Sequence, residues 1–312
     1  MTLKIISSIL QCVVVVALSP LQIGLIRATK ARLEGRSGGR LLRPWREISK
    51  LMRKETIRYG VGSSIMAAAS IVTLSSSLAL ALTVPSLLQN SIIRPDLFVI
   101  VSILTIGAIS QGMVGLASGT SFGGMGSSRH LTLLALTEPT LLISIYALSI
   151  ASHTTDLAKI IQLRALHPIE VVSPVGILVV ASLVIAVLSE TGRLPIDNPA
   201  THLELTMIHE AMTLESSGRD LAFQELASSI KLTVLTSLLA NLLVPWPIEP
   251  SISLGIAPAI FALCLKIAVL SIALSVGETF LAKVRLFRVP ELLAGSLAIA
   301  FIAVIVSGVT TI

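Results

Sequence analysis

Long apolar runs recur along the whole chain and are separated by short polar connections. Each run has about 20 residues, enough to cross roughly 30 Å of hydrocarbon as an α-helix. The runs lack the apolar–polar alternation of a transmembrane β-barrel, so the pattern predicts an all-α, polytopic membrane bundle of about eight helices. The predicted spans lie near residues 3–26, 61–84, 97–118, 131–152, 171–190, 226–246, 254–279 and 290–311.

The composition agrees with a bilayer environment. Of the 312 residues, 13% are charged, whereas about a quarter of the residues in a soluble domain are charged. The first run is longer than the apolar region of a signal peptide and precedes seven more spans, so we expect it to be retained. We treat residues 1–312 as one membrane domain, because we find no low-complexity linker and no clear repeat. Cys12 and Cys264 lie in apolar runs and are predicted to be small buried hydrophobes.

The basic residues predict the orientation of the bundle. With eight spans, the connections 27–60, 119–130, 191–225 and 280–289 share one side and hold 17 of the 23 lysines and arginines. The positive-inside rule places this side in the cytoplasm and both termini on the outer side of the plasma membrane. The net charge of +6 therefore reflects the basic connections on the cytoplasmic side of the membrane. Because the aromatic residues are too few and scattered to form a base-stacking surface, we expect no nucleic-acid partner.

The first basic connection, 27–60, contains an amphipathic pattern. After Pro44, apolar residues recur at helical spacing with basic residues between them, which predicts a helix lying at the membrane surface. Two functions fit this segment: a basic anchor on anionic lipid, and a docking surface for a soluble subunit. The residues selected for subunit docking are Arg36, Arg40, Trp45 and Arg46.

The second connection leads to an acidic residue inside a span. A Gly/Ser-rich stretch over 119–128 predicts a turn that places Arg129 at the mouth of the fourth span. Glu138 follows about 13 Å deeper along a helix. An ionisable group at this depth costs a few kcal/mol unless it is paired or hydrated, so we predict a functional role for Glu138. Pro139 beside it would loosen the helix and admit water or a polar neighbour.

The third connection, 191–225, follows the fifth span and is rich in ionisable residues. Asn198 and Pro199 predict the start of a helix of about 16 residues that ends near Ser216, with Gly218 stopping it. Charge interrupts the apolar side of this helix, so we expect it to be buried against protein as well as lipid. Its ionisable residues are His202, Glu204, His209, Glu210 and Glu215.

Two fragments of this connection begin like zinc motifs and then fail. His209 and Glu210 start as the HExxH motif does, but Thr213 occupies the position of the second histidine. His202 and Glu204 start like a deaminase signature, but no PCxxC follows. We therefore expect neither a metal ligand set nor a catalytic site in this chain, and any redox cofactor would belong to a partner.

Four stretches carry a family resemblance: GSSRHLTLLALTEP, LSETGRLPIDNPATHLELTMIHEA followed by ESSG, ARLEGRSG, and LAKVRLFRVPE. Together they resemble the complex I NADH dehydrogenase subunit 1 superfamily, and within it the membrane subunits of formate hydrogenlyase and hydrogenase-4 type complexes. The resemblance covers nearly the whole chain. It implies an eight-span subunit that joins an ion-translocating membrane arm to a peripheral arm, where iron–sulfur clusters and a [NiFe] centre or a quinone-reducing site would lie.

The resemblance also implies roles for individual positions. The residues that match the ExNRxPFD loop of the family, which lies under the peripheral arm, are Glu190, Arg193, Pro195 and Asp197. The residues that match the last acid of this loop and the acid of the EYSG motif are Glu204 and Glu215. The residues that match the fourth-span motif are Arg129 and Glu138.

The chain departs from the quinone-using members at several positions. Ala200 and His202 stand where those members have acids, and Gly192 stands where they have asparagine. The basic connection has Gly38 and Gly39 where Gly-Pro is common. These departures favour the hydrogenase branch, in which the electron acceptor is a proton at a peripheral metal centre.

We therefore predict a non-catalytic coupling subunit of a membrane-bound, complex I-like hydrogenase. Its partners would be the hydrogenase large and small subunits, antiporter-like membrane subunits and the bilayer. Two alternatives stay open: a quinone-site subunit of an NADH:quinone oxidoreductase, and a stand-alone secondary transporter, although the chain lacks the paired helix interruptions expected of that class. The predicted proton path consists of Glu138, Glu190, Asp197, Glu204, Glu215, Lys266 and Glu278, with Arg129, Arg193, Pro195, His202 and His209 around a cavity. Lys231 and Lys266 would either extend this path or snorkel to an interface.

Overall fold

The computed structural model describes residues 2–57, 62–86, 96–166, 171–197, 207–245 and 252–310. These residues form helices and contain no β-strand, only an isolated bridge between Asp96 and Asp156. The all-α prediction is therefore confirmed. In chain order the helices are α1 Thr2–Leu33, α2 Arg43–Arg53, α3 Ser63–Thr83, α4 Leu97–Ala117, α5 Ser121–Ser152, α6 Leu157–Leu166, α7 Pro174–Glu190, α8 His209–Thr213, α9 Gly218–Leu243, α10 Ile252–Phe280 and α11 Val289–Thr310, the last preceded by a 3₁₀ turn at Leu286–Arg288.

Seven of the described helices are long and apolar enough to cross a membrane: α1, α3, α4, α5, α9, α10 and α11. Helix α7 has 17 residues, at the short end of the range that can span hydrocarbon, and it corresponds to the fifth predicted span. The chain is thus a multi-pass membrane protein. The short helices α2, α6 and α8 lie in the connections.

Helix α9 lies at the centre of the bundle. In its apolar stretch 78% of the residues are buried, against 28% in α10 and in α11. It packs against α1, α2, α3, α7 and α10. Small residues such as Ser229 and Ser237 are fully buried along it, which lets neighbouring backbones approach closely. Helix α9 therefore contacts α1, α3, α7 and α10 directly, whereas α4, α5 and α11 pack against one another and against α3 and α7.

Buried polar side chains join the helices across their apolar faces. Gln22 of α1 donates to Thr236 at 3.0 Å and accepts from Thr233 at 2.7 Å, both on α9. Gln11 of α1 donates to the carbonyl oxygens of Ala81 and Val84, at the end of α3. Lipid tails are as apolar as the side chains, so packing and hydrogen bonds of about 0.6 kcal/mol each hold such helices together.

The amphipathic helix α2 forms where the sequence predicts it. Pro44 lies in its first turn, where no intrahelical N–H is required, and Pro44 and Ile48 are buried. Trp45 Nε1 donates to the Ala17 carbonyl of α1 at 3.2 Å. A Cβ on Gly24 of α1 would lie 2.2 Å from the Leu41 carbonyl oxygen, so the chain returns to α1 in direct backbone contact.

The predicted turn over residues 119–128 is wrong. Helix α5 begins at Ser121, where Thr120 caps it by accepting the Gly123 N–H at 3.2 Å. Glycine is used here for close packing: a Cβ on Gly123 would lie 2.5 Å from the Gly115 carbonyl oxygen, and one on Gly126 would lie 2.8 Å from Ala211 Cβ. Arg129 therefore lies about two turns inside α5 instead of at its mouth.

The helix predicted from Asn198 to Ser216 is also wrong in its described part, while residues 198–206 lie outside the described residues. Helix α8 covers only His209–Thr213, because the N–H groups of Ile208 and His209 are engaged by the Asp197 side chain. Gly218 starts α9 instead of ending a helix. It has φ +52° and lies so close to the backbone of Glu55 that a Cβ would be 2.4 Å from its carbonyl oxygen.

We expect Gly24→Ala to destabilise the protein, because the new methyl group would separate α1 from the Leu41 backbone. Overpacking of this kind typically costs about 1–3 kcal/mol. The measurement is the apparent unfolding midpoint in detergent. Gly124→Ala is the matched control, since it is also helical and has nothing within 4 Å of the added Cβ. Equal midpoints for the two variants would contradict the close contact at Gly24.

Candidate functional site

A polar cavity of about 620 Å³ lies at the end of the bundle that carries the basic connections. It is bounded by α1, α2, α8, α9, α10 and the connection that follows α7. Charged side chains from all of these elements face it, so it differs from an ordinary apolar ligand pocket. The ionisable lining residues are Arg27, Lys30, Glu47, Arg193, Asp197, His209, Glu210, Glu225 and Glu278.

Glu278 of α10 joins three elements at the cavity wall. Its Oε1 accepts from Arg193 Nη1 at 3.1 Å, and its Oε2 lies 3.4 Å from Lys30 Nζ of α1. Only 2% of the Glu278 side chain is exposed. A buried carboxylate is stable only when it is paired and hydrogen-bonded, so these two cations fix the positions of α1, α10 and the loop relative to one another.

Asp197 organises the loop on the opposite wall. Its Oδ2 accepts the N–H groups of Ile208 and His209 at 3.2 and 3.1 Å, and its Oδ1 lies 3.3 Å from Lys283 Nζ. Burial by itself raises the pKa of this carboxyl, but the interactions with His209 and the charge of Lys283 outweigh it and lower the pKa to about 2. Asp197 is therefore ionised throughout the physiological range.

His209 lies between this carboxylate and a second histidine. Its Nδ1 is 3.7 Å from Asp197 Oδ2, which is too long for a hydrogen bond, and both ring nitrogens are buried without a hydrogen-bond partner among the described residues. The rings of His209 and His130 meet edge to face at 5.1 Å. A Cβ on Gly192 would lie 2.6 Å from His209 Nδ1, so this glycine is needed to admit the ring.

Beneath the cavity, α7 and α9 share a buried ion pair. Lys231 Nζ lies 3.2 Å from Glu190 Oε1, and the two side chains are 11% and 2% exposed. Lys231 also borders a narrow void of about 10 Å³, roughly the space of one water molecule. Gln111 and Gln224 line both this void and the cavity. These two amides are therefore polar groups that the cavity shares with the surroundings of the ion pair.

Glu138 extends this polar region further into the bundle. Its Oε1 is buried and has no hydrogen-bond partner among the described residues. Glu190 and Lys231 lie within electrostatic range of its carboxyl, which also approaches Thr105 of α4. A buried carboxyl without a full set of partners favours a role in proton transfer over one in packing.

The other residues selected from the sequence have more varied surroundings. Arg129 Nη1 donates to the Met207 carbonyl at 3.2 Å, which ties α5 to the connection before α8. The Pro195 carbonyl accepts the Val284 N–H at 2.9 Å. Glu215 lies in the turn between α8 and α9, outside the set of residues that line the cavity. His202 and Glu204 lie outside the described residues.

Lys266 lies away from the cavity. Its Nζ donates to Asn241 Oδ1 at 2.9 Å, and Asn241 in turn donates to the carbonyl oxygens of Pro85 and Ser86, beyond the end of α3. Of the residues selected for docking, Arg36 and Arg40 are exposed, and Arg36 pairs with Glu34. The structure therefore brings Arg193, Asp197, His209 and Glu278 together at the cavity, with Glu190 and Glu138 beneath it. Lys266 lies apart from this group.

Several lining residues were not selected from the sequence. Lys30 was counted only as a topology signal, and Lys283 belonged to a short basic connection. Gln111 and Gln224 have a detectable signal, since each is an amide within or beside an apolar run. Among the described residues, no group of three or more His, Cys, Asp or Glu side chains is arranged to hold a metal ion.

We expect Asp197→Asn to lower the free energy of unfolding by about 2 kcal/mol at neutral pH, given the lowered pKa of this buried carboxyl. Because the folded-state pKa lies below the unfolded value, the stabilisation is present above pH 4 and is lost as the pH falls from about 4 to about 2. Unfolding midpoints at several pH values measure this.

Lys283→Gln serves as the comparison, because it removes one partner of Asp197 and keeps the two backbone N–H donors. A smaller loss is expected for this variant. A difference between the parent and Asp197→Asn that does not change with pH would contradict the assignment.

Comparison with known proteins identifies similar chains. Hydrogenase-4 component C of Escherichia coli (strain K12) is 27% identical over 284 residues, covering 90% of this chain and 89% of that protein. Formate hydrogenlyase subunit 4 of the same organism is 25% identical over 305 residues, covering 96% and 98%.

Among solved structures, a chain of the membrane-bound sulfane sulfur reductase, an archaeal respiratory membrane complex, superposes with a TM-score of 0.84. The match covers 97% of this chain and 99% of that chain at 17% identity, so it shows a shared fold. The model of the family described as NADH dehydrogenase matches residues 5–308. Because this match covers almost the entire sequence, the chain belongs to the NADH dehydrogenase family.

Proposed function

We propose that this chain is the membrane-anchor and coupling subunit of a complex I-like, membrane-bound hydrogenase of the formate hydrogenlyase type. In this role it links a peripheral redox arm to the translocation of protons or sodium ions. The relatives named hydrogenase-4 component C and formate hydrogenlyase subunit 4 support this assignment. The observation that carries it is the charged cavity together with the buried Lys231–Glu190 pair beneath it.

The cavity lies where a peripheral arm would dock. In our proposal the basic connections face the cytoplasm, both termini lie on the outer side of the plasma membrane, and Arg36 and Arg40 contact the peripheral subunits. The large and small hydrogenase subunits would carry the [NiFe] centre and iron–sulfur clusters. Antiporter-like subunits would lie beside this chain in the membrane and receive the coupled charge movement.

The ion pairs around the cavity suggest how redox turnover is transmitted. A change of charge in the peripheral arm would alter the balance among Arg193, Glu278 and Lys30, which share one carboxylate. His209 would relay protons from the cavity, since its Nε2 has no hydrogen-bond partner among the described residues, while its Nδ1 lies 3.7 Å from the Asp197 carboxylate. Movement of Arg193 would shift the loop that also contains Asp197. His209 would move with this loop, because its backbone N–H donates a hydrogen bond to the Asp197 carboxylate.

The Lys231–Glu190 pair is the second step of the proposed path. Proton transfer from Lys231 Nζ to Glu190 would neutralise both groups and remove two charges from a medium of low dielectric. Glu138 lies within electrostatic range of both and would accept the proton next. Lys266, beside Asn241 at the far ends of α3 and α9, would belong to a later part of the path. Glu204 and Glu215 stay predicted members of the path, as the family resemblance implies.

The charged lining favours this coupling role over the quinone-site alternative. Sites for organic cofactors are lined mostly by apolar and aromatic side chains with a few polar groups. Of the lining residues here, only Ile23, Ile26 and Leu232 are aliphatic. Gly192 stands where the quinone-using members have asparagine. In this structure the His209 ring fills the space that a side chain at position 192 would need.

The assembly is tested by purifying the tagged chain in mild detergent and identifying its partners, with nickel and iron measured on the same sample. We expect a nickel-bearing large subunit and antiporter-like subunits in stoichiometric amounts. Iron without nickel, together with bound quinone, would support the quinone-site alternative. Isolation of the chain alone would reject the coupling assignment and favour a stand-alone transporter.

The path is tested by Glu190→Gln and Glu138→Gln in the assembled complex. Removing a proton-transfer group slows its step by about 100-fold or more, so we expect loss of ion translocation in proteoliposomes while hydrogen turnover with an artificial electron mediator continues. Glu291→Gln, at an exposed position at the start of α11, is the matched control. Full translocation and full turnover in Glu138→Gln would remove Glu138 from the path.

A further inference from the structure

The outer face of α2 has a charge pattern that the cavity does not use. Its acid, Glu47, is turned toward α1 and the helix start, pairing with Arg27 at 2.9 Å and with Arg43 at 2.8 Å. The opposite face forms an open groove of about 690 Å³ in which cations are uncompensated by any acid in the lining. The residues of this groove are Leu42, Trp45, Arg46, Lys50, Arg53 and Lys54.

The groove lies at the depth of the membrane surface. Trp45 contacts the Ala17 carbonyl and Leu41 contacts Gly24, both within the apolar helix α1. Helix α1 continues to Leu33, so its last turns project about 13 Å beyond the Gly24 contact. Tryptophan is typical of the membrane–water interface, where its ring meets acyl chains and its N–H meets polar groups. The cations of the groove are thus held at the level of lipid headgroups.

An apolar stripe continues from the groove into the membrane. Ile6, Ile9 and Val13 lie on one face of α1 and are 56%, 54% and 59% exposed. The same face leads to Ala17, where Trp45 is attached. The distance along the helix from Gly24, where the chain returns to α1, to Val13 is roughly 17 Å, about half the thickness of the hydrocarbon core and hence close to the depth of one leaflet. Ile9 and Ile6 lie deeper, in the other leaflet.

We propose that this groove binds an anionic glycerophospholipid of the surrounding bilayer. Its phosphate contacts the cations of the groove, and one acyl chain lies along Ala17 and Val13, the part of the stripe that lies within one leaflet of the groove. The planar guanidinium groups of Arg46 and Arg53 match the geometry of a phosphate, and Lys50 between them adds a point charge. An acidic protein segment would complement the cations of the groove but would leave the apolar stripe on α1 without a partner. An anionic lipid complements both, so it is the better ligand. The proposal is independent of the redox partners of the chain.

Trp45 provides a direct reporter for the test. The chain has two tryptophans, so Trp246→Phe leaves Trp45 as the single fluorophore. The full chain is placed in phosphatidylcholine nanodiscs at about 0.15 M salt, where a Debye length of about 8 Å screens distant charges. Increasing fractions of acyl-brominated phosphatidylglycerol or acyl-brominated phosphatidylcholine are then added. We expect the anionic lipid to quench Trp45 at a much lower mole fraction.

The variants separate a site from general attraction. A cation at an anionic surface contributes about 1 kcal/mol, which corresponds to about a five-fold change in affinity. Arg53→Gln should therefore weaken the preference about five-fold, and the triple variant Arg46→Gln/Lys50→Gln/Arg53→Gln should abolish it. The matched control, Arg32→Gln/Arg36→Gln/Arg40→Gln, removes the same charge from the stretch that spans the end of α1 and should retain the preference. Circular dichroism confirms that helix content is preserved.

Three results would overturn the proposal. Equal quenching by the two brominated lipids in the parent would show that no selective site exists. Equal loss of preference in the groove variant and in the control would assign the effect to general surface charge. Protection of Trp45 from both lipids in the purified complex would show that a protein subunit covers the groove instead.

Discussion

An ionised side chain in an apolar helix bundle is stable only beside an opposite charge or a set of hydrogen-bond donors, and the arrangement around the cavity follows from this requirement. Glu278 is 2% exposed and is satisfied only because Arg193 and Lys30 approach it from two other elements. Glu190 is satisfied in the same way by Lys231. Each pair adds a charged contact to helices that also meet through apolar packing and neutral hydrogen bonds, such as the one from Thr29 of α1 to Ser275 of α10 at 2.6 Å.

The same requirement explains why these pairs are suited to transmitting a change. Glu278 shares its charge between two cations, so an altered charge near Arg193 redistributes the interaction toward Lys30 without unfolding the site. Asp197 is held differently, by two backbone N–H groups and Lys283, and its low pKa keeps it ionised. The loop therefore has a fixed end at Asp197 and an adjustable end at Arg193. His209 lies at the fixed end, with its Nδ1 3.7 Å from the Asp197 carboxylate.

Close backbone packing supplies the precision that these polar contacts need. Gly126 of α5 lies against α8, with Ala211 Cβ at 2.8 Å from the position of an added Cβ. Gly192 provides the space that the His209 ring occupies. Both positions require glycine because a Cβ would collide with a neighbouring residue. Gly192 has a second reason, since its φ of +60° favours a residue without a Cβ. A family pattern that places asparagine at the latter position is incompatible with this placement of His209.

The membrane class, the all-α architecture and the position of α2 could be predicted from the sequence, because apolar run length and helical spacing are local signals. Of the nine ionisable residues that line the cavity, four were predicted as site residues: Arg193, Asp197, His209 and Glu278. Which charges pair could not be predicted. Tertiary packing pairs Glu190 with Lys231 of α9 and Asp197 with Lys283 of the connection after α10. Lys30, Gln111 and Gln224 line the cavity only because of how the helices pack. The glycines of the Gly/Ser stretch lie within a helix, where they allow neighbouring backbones to approach closely.

The sequence by itself determined which groups must be buried, since composition and hydrophobic period decide whether each segment faces lipid, protein or water. The tertiary structure decided their partners, since contacts between distant residues depend on the packing of whole helices around α9.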